Sequence, residues 1–177
     1  MMKMPFKTVM FGIILLASVA SPAFAQTESS AKAFIDYVFQ RYKAGGHGIP
    51  TNARYFHPSL LALIQQDEKA AEAAHEMPDA LDGDLICYCQ EWNRFSVSSM
   101  QFKIVKPGVI LATVSFDIYE TADSSDKVHR VMRFTLVPVG VSWRIYDIEI
   151  LSEADVPLRK ELQKEFELFR KDSEIGK

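Results

Sequence analysis

The chain has 177 residues, with 20 lysines and arginines against 23 aspartates and glutamates, a net charge of −3. Its residues are 48% hydrophobic, enough for one real core. A mildly acidic domain of this size has no basic footprint for nucleic acid, which excludes that class of partner.

The first 25 residues read as a signal peptide. Lys3 and Lys7 make a positive start, Val9 to Ala20 is an apolar run too short to span a bilayer comfortably, and Pro22 precedes the small-x-small sequence Ala23-Phe24-Ala25. Cleavage is expected before Gln26. Without the two lysines, residues 26–177 carry 18 basic and 23 acidic side chains, a net charge of −5. No cysteine follows the apolar run, so no lipid anchor is expected, and no later run reaches transmembrane length. The expectation is one exported domain, residues 26–177, soluble in a bacterial periplasm and not inserted in the membrane after cleavage.

Ala31, Phe34, Ile35, Val38 and Tyr42 recur at helical spacing. Ser29 or Ser30 can cap this helix, and Gly45-Gly46 ends it. The loop "GGHGIPTN" (45–52) follows. Pro58 sits just inside a second helix, with Leu60, Leu61 and Ile64 on its buried side. The continuation "QQDEKAAEAAHEM" is polar and Ala-rich, so this helix is expected to lie on the surface until Pro78 stops it.

From Phe95 the period changes to two. Phe95, Val97, Ser99 and Gln101 alternate loosely and lead to Phe102–Val105, and "KPG" (106–108) is a turn. Ile110, Ala112, Val114, Phe116 and Ile118 form a clean alternating strand. "TADSSD" (121–126) reads as a hairpin loop, Val128–Val137 as the next strand broken by "PVG", and Trp143–Leu151 as the last. Val156–Arg170 is a closing helix, with Leu158, Leu162, Phe166 and Phe169 on one stripe. Helices followed by a run of strands imply an α+β fold: a curved antiparallel sheet with the N-terminal helices packed on one face, and a C-terminal helix. Val109 and Leu111 leave the other face not plainly polar, so a curled sheet with a pocket, or a homodimer through the sheet face, would each account for it.

This layout resembles the nuclear-transport-factor-2-like, cystatin-like cone, and "WRIYDIEI" (143–150) looks like the last strand of that superfamily. The chain is similar to the exported bacterial domain-of-unknown-function family 3828. That similarity rests on Phe34, Tyr37 and Tyr42 in the first helix, on "YFHPSL" (55–60), and on "DGDLICYCQE" (82–91) before the sheet, where Glu91 stands in place of the family's more frequent Asp. The resemblance implies a fold. Function has to come from the site, because one fold hosts many activities.

The segment "ALDGDLICYCQEW" (80–92) holds both cysteines of the chain, with Asp82, Asp84, Glu91 and two aromatics. Cys-x-Cys is not the Cys-x-x-Cys of thiol oxidoreductases, and four ligands in two close pairs are missing, so neither a redox motif nor a metal is expected. Export favours oxidation, but a bridge across one residue closes a small, strained ring, so a Cys87–Cys89 disulfide and two buried inert thiols stand as equal readings. Asp82-Gly83-Asp84 reads first as turn chemistry. Its functional reading places Asp84, Tyr88, Glu91 and His57 together at the mouth of the cone; the resemblance adds Gln90 to Asp84, because both match family positions. His129, Arg130 and Arg133 read as a solvated strand face. No cofactor-binding motif or catalytic triad order is present. The expectation is a non-catalytic binding or interaction domain for a protein or small-molecule partner, in one variant an immunity-type protein that neutralises a cell-envelope toxin. The alternatives are a small-molecule enzyme of isomerase or hydratase type using the cone pocket, and a structural envelope protein.

Overall fold

The computed structural model describes residues 27–43, 48–90, 92–119, 127–152 and 156–175. The expected signal peptide Met1–Ala25, the Gly45-Gly46 stop, the loop 121–126 and Glu91 lie outside them. Three helices and four strands follow in the order α1 (Glu28–Lys43), α2 (Pro58–Ala74), the 3-10 helix Asp79–Leu81, β1 (Arg94–Lys106), β2 (Val109–Tyr119), β3 (Val128–Val139), β4 (Ser142–Ile150) and α3 (Leu158–Ile175). The strands form one antiparallel sheet in the order β1-β2-β3-β4. It is curved and unclosed, an α+β architecture. Irregularities after Val97, Ile104 and Thr135 break the strict register, and such bulges bend a strand.

Helix α1 starts earlier than expected. Thr27, not Ser29 or Ser30, is the cap: its hydroxyl accepts from the Ser30 amide (3.2 Å), and the Ser30 hydroxyl accepts from the Thr27 amide (3.1 Å). The helix buries Ala31, Ile35, Val38, Phe39 and Tyr42. Phe39 meets Phe116 at 5.5 Å, Phe95 at 5.8 Å and Phe134 at 5.8 Å, so aromatic side chains fill the covered side of the sheet. β2 alternates buried and half-buried without a break, as its sequence period requires. Trp143 is buried, and its indole N–H donates to Ser30 Oγ (2.8 Å), fixing the start of α1 on β4.

Helix α2 departs from the sequence expectation. Leu60, Ile64, Asp67 and Ala71 are all buried along one stripe, and the stripe packs on α3. A helix that looks polar along its length is therefore covered on one face, and an aspartate lies within that face. The helix ends at Ala74 with His75 in the left-handed conformation (φ 58°), before Pro78 is reached.

Pro138 does not end β3. The β2–β3 ladder stops at Leu136, so Pro138 has β4 as its only neighbouring strand, opposite Trp143. The N–H that proline lacks is not needed on the other side. The turn comes at Gly140-Val141, and Gly140 has φ 62°.

The outer edge of β4 is covered. The His57 amide donates to the Ile145 carbonyl and the Ile145 amide to Tyr55, both at 2.8 Å, and Pro157 bridges Glu149. Among the described residues, β1 pairs only with β2.

Candidate functional site

The loop between the 3-10 helix and β1 is built around one carboxylate. Asp84 Oδ1 accepts from the backbone amides of Ile86 (2.8 Å) and Cys87 (3.1 Å), and the Tyr42 hydroxyl donates to the same carboxylate at 2.8 Å. The Asp84 amide donates to the Cys89 carbonyl (2.9 Å), and the Tyr88 amide to the Asp84 carbonyl (2.7 Å). Cys87 and Cys89 are joined as a disulfide. Gly48 (φ 66°) lies against this site so closely that a Cβ there would stand 2.5 Å from Asp84 Oδ2.

Burial pushes the Asp84 carboxyl above its usual range, and the bonds from Tyr42 and the two amides pull it back down. Burial and the neighbouring Asp84 raise the Tyr42 phenol, so it stays protonated and donates. This is the turn chemistry that Asp-Gly-Asp announced: each described partner of the carboxylate holds the loop.

Of the other described residues singled out from sequence, Tyr88 joins Asp84 through its backbone amide, whereas Gln90 and His57 have other partners. Gln90 is exposed and donates from Nε2 to the Asp82 carboxylate (3.1 Å). His57 caps α2: its Nδ1 accepts from the Ser59 amide (3.1 Å), which places the ring proton on Nε2. Burial, and then Arg159, hold its pKa below the ordinary value, so the ring is neutral at pH 7. Its neighbours are Tyr146 and Ser59, and Arg159 reaches Ser59 Oγ at 3.1 Å while lying 4.3 Å above the Tyr146 ring. Asp147 adds a cap to α3 from the sheet by accepting from the Arg159 amide (3.1 Å). His57 thus belongs to the group that pins the starts of α2 and α3 to β4. Arg133 pairs with Glu149 at 3.0 Å, and His129 with Asp117 at 2.8 Å.

Among the described sequence candidates, Tyr88 borders a concave site. It sits between the two cysteines with φ 50°, a left-handed conformation unusual for a large residue. Its side chain lines a cleft of about 240 Å³ with Asp79 and Ala80 on one side and Glu161, Lys164, Glu165 and Leu168 of α3 on the other. A narrow recess of about 20 Å³, too small for more than a water, shares Ala80, Tyr88 and Glu161 with this cleft and is floored by Leu85, Met132, Ile148, Ile150 and Leu158. The Arg130 guanidinium lies 5.9 Å from the centre of the Tyr88 ring. The arrangement is a cleft rimmed by three carboxylates, one ammonium and one phenol, with a guanidinium beside the phenol.

Glu165 carries the rim into the protein. Its Oε1 accepts from the Ala80 amide (3.0 Å), while Oε2 is buried without a hydrogen-bond donor. It faces Asp67 of α2, a fully buried residue whose two carboxyl oxygens also lack a donor. Burial first, then Glu165 and Glu68, push the Asp67 carboxyl up to about 7. Sequence reasoning missed this pair. The signal was present as the spacing Leu60, Ile64, Asp67, Ala71, which puts the aspartate on the apolar stripe, but the surrounding polar run obscured it.

Among the described residues no group of three or more His, Cys, Asp or Glu is placed to hold a metal ion, and no helix is long and apolar enough to cross a membrane. Comparison with protein-family models, curated proteins and solved structures gave no match. The chemistry of the cleft is therefore the basis for a functional reading.

Proposed function

We propose that this protein is a non-catalytic binding domain whose ligand site is the cleft between the disulfide loop and α3. The observation that carries the reading is the construction of Tyr88. A disulfide, a left-handed backbone and the part-buried Asp84–Tyr42 contact together fix one aromatic residue at the edge of the cleft. Strained conformations held this firmly cluster where a ligand is clamped. The lining selects the ligand class: Ala80, Tyr88 and Leu168 offer the cleft an apolar wall for a short stem, and three carboxylates (Asp79, Glu161, Glu165) against two cations (Lys164 and the nearby Arg130) leave the rim acidic by one charge, which favours a positive group there. An aliphatic ammonium fits, either free or as a basic side chain presented by a protein partner.

Export to a periplasm and descent from the nuclear-transport-factor-2-like superfamily belong to the same reading, supported by the N-terminal sequence and by the motifs quoted above. An immunity-type protein that occupies a cell-envelope toxin through a basic side chain is its most specific form. Intact mass of the exported material should begin at Gln26.

The direct test uses n-hexylammonium and hexanoate, which share a stem and differ in charge. In amide-resolved titrations, n-hexylammonium is expected to shift Ala80, Tyr88 and Leu168, and Tyr88→Ala to weaken this response. Equal binding of hexanoate removes the role of the acidic rim. No response to either probe overturns the cleft as the ligand site.

A further inference from the structure

We propose that Asp67 and Glu165 form a proton-operated latch: one shared proton closes the seam between α2 and α3, and its loss loosens α3 and the 3-10 helix Asp79–Leu81 that Glu165 holds. This goes beyond ligand binding and does not rest on it.

The geometry sets up the problem. Ionised together, the two carboxyl groups would present three buried oxygens, Asp67 Oδ1, Asp67 Oδ2 and Glu165 Oε2, with no donor for any of them. Two like charges facing each other in a dry seam cannot both persist. A single proton removes one charge and turns an oxygen–oxygen contact into a hydrogen bond between Asp67 and Glu165. Asp67 is the natural holder, since it is fully buried whereas Glu165 borders the cleft.

The surrounding charges do not relieve the pair. From α2 itself, Glu68 adds repulsion. From α3, Glu161 and Lys164 border the cleft beside Glu165. From the 3-10 helix and the turn before it, Asp79 and Glu76 line the grooves that Glu165 also borders. Among the described residues neither Asp67 nor Glu165 forms a salt bridge to a lysine or arginine. Glu68 therefore reinforces the burial and the facing Glu165 that keep the proton on Asp67.

Glu165 transmits the change because its second oxygen is not spare. Oε1 accepts from the Ala80 amide, which anchors the 3-10 helix to α3 across the cleft. Repulsion that drives Glu165 away from Asp67 acts on this anchor. The direction with pH follows from the sign of the shift. A carboxyl raised above its unfolded value binds its proton more tightly in the folded chain, so its contribution is complete below about pH 4. It is lost as pH rises through about 7.

The test compares the native chain with Asp67→Asn, in which an amide donates to Glu165 at every pH, and with Glu165→Gln, which keeps the acceptor for Ala80. Between pH 5.5 and 8.0 the native melting temperature is expected to fall by about 3–6 °C more than that of either variant. Asp84 and Asp147, also raised by burial, stay in all three chains and cancel in the comparison. Hydrogen exchange at the Ala80 amide, corrected for intrinsic rate, is expected to lose protection about tenfold over this range in the native chain and to stay level in Asp67→Asn. Equal pH slopes in all three proteins overturn the latch. Should a variant fail to fold, carbon-detected titration of Asp67 in the native chain decides: a midpoint near 7 supports the latch, and one below 5 overturns it.

Discussion

Asp84 is a half-buried carboxylate and Asp67 a fully buried one, and the chain treats them in opposite ways. Asp84 lies in a turn, where free amides converge on it, and a phenol completes the set. Asp67 lies inside a helix whose own amides are committed to the helical ladder, so nothing local can donate to it, and the facing residue is another acid. Backbone context decides which buried charge is satisfied and which is left to capture a proton. Asp84 therefore holds structure at every pH at which it is ionised, whereas Asp67 holds structure while it is protonated.

The contrast is sharpest in substitutions that remove the carboxyl group. Asp84→Ala leaves two amides and the Tyr42 hydroxyl without their acceptor. It is expected to cost about 3 kcal/mol or more, read as a fall of roughly 6–12 °C in the melting temperature. Asp67→Leu has the opposite sign. It completes the Leu60, Ile64, Ala71 stripe and removes the like-charge contact. At pH 8 it is expected to stabilise by about 1–3 kcal/mol in chemical denaturation, with a smaller gain at pH 5. A destabilising Asp67→Leu would dissolve the distinction between the two sites.

Two weaker perturbations refine the Asp84 side. Replacing Cys87 and Cys89 together by Ser removes a crosslink across a single residue, where the entropic benefit is small. A loss of about 1–2 kcal/mol is expected with the fold retained, checked by circular dichroism and melting. Gln90→Ala touches an exposed contact to Asp82, and its melting temperature should stay within about 2 °C of native. A large effect there would move the anchor of the loop outward from Asp84.

The fold was legible where one physical signal acted alone. The alternation of Ile110 to Ile118 reads directly as β2, and Pro58 after His57 as a helix start. The fate of Pro138 was not legible, because it depends on β2 ending its pairing at Leu136, a fact of tertiary register. The Asp-Gly-Asp turn was readable from local chemistry, and the structure gives its carboxylate the expected amides. The grouping of His57 with Asp84 was not, because sequence shows residue types but not which loop ends meet. Asp67 was obscured for a third reason: composition outweighed spacing in a helix rich in Gln, Glu and Ala.

The sheet has two edges in different states, and this bears on how copies of the chain could associate. Residues 55–57 and Pro157 occupy the β4 side, so a neighbouring chain cannot extend the ladder there. Among the described residues nothing pairs with the outer edge of β1, which leaves strand addition to that edge, where exposed Lys103 and Lys106 repel a like partner. Joining through a single edge is self-limiting. Two copies meeting β1 to β1 would form one continuous eight-stranded ribbon related by a two-fold axis, stoppered at both ends. An open polymer needs two complementary edges, so blocking one is enough to turn runaway growth into, at most, a pair.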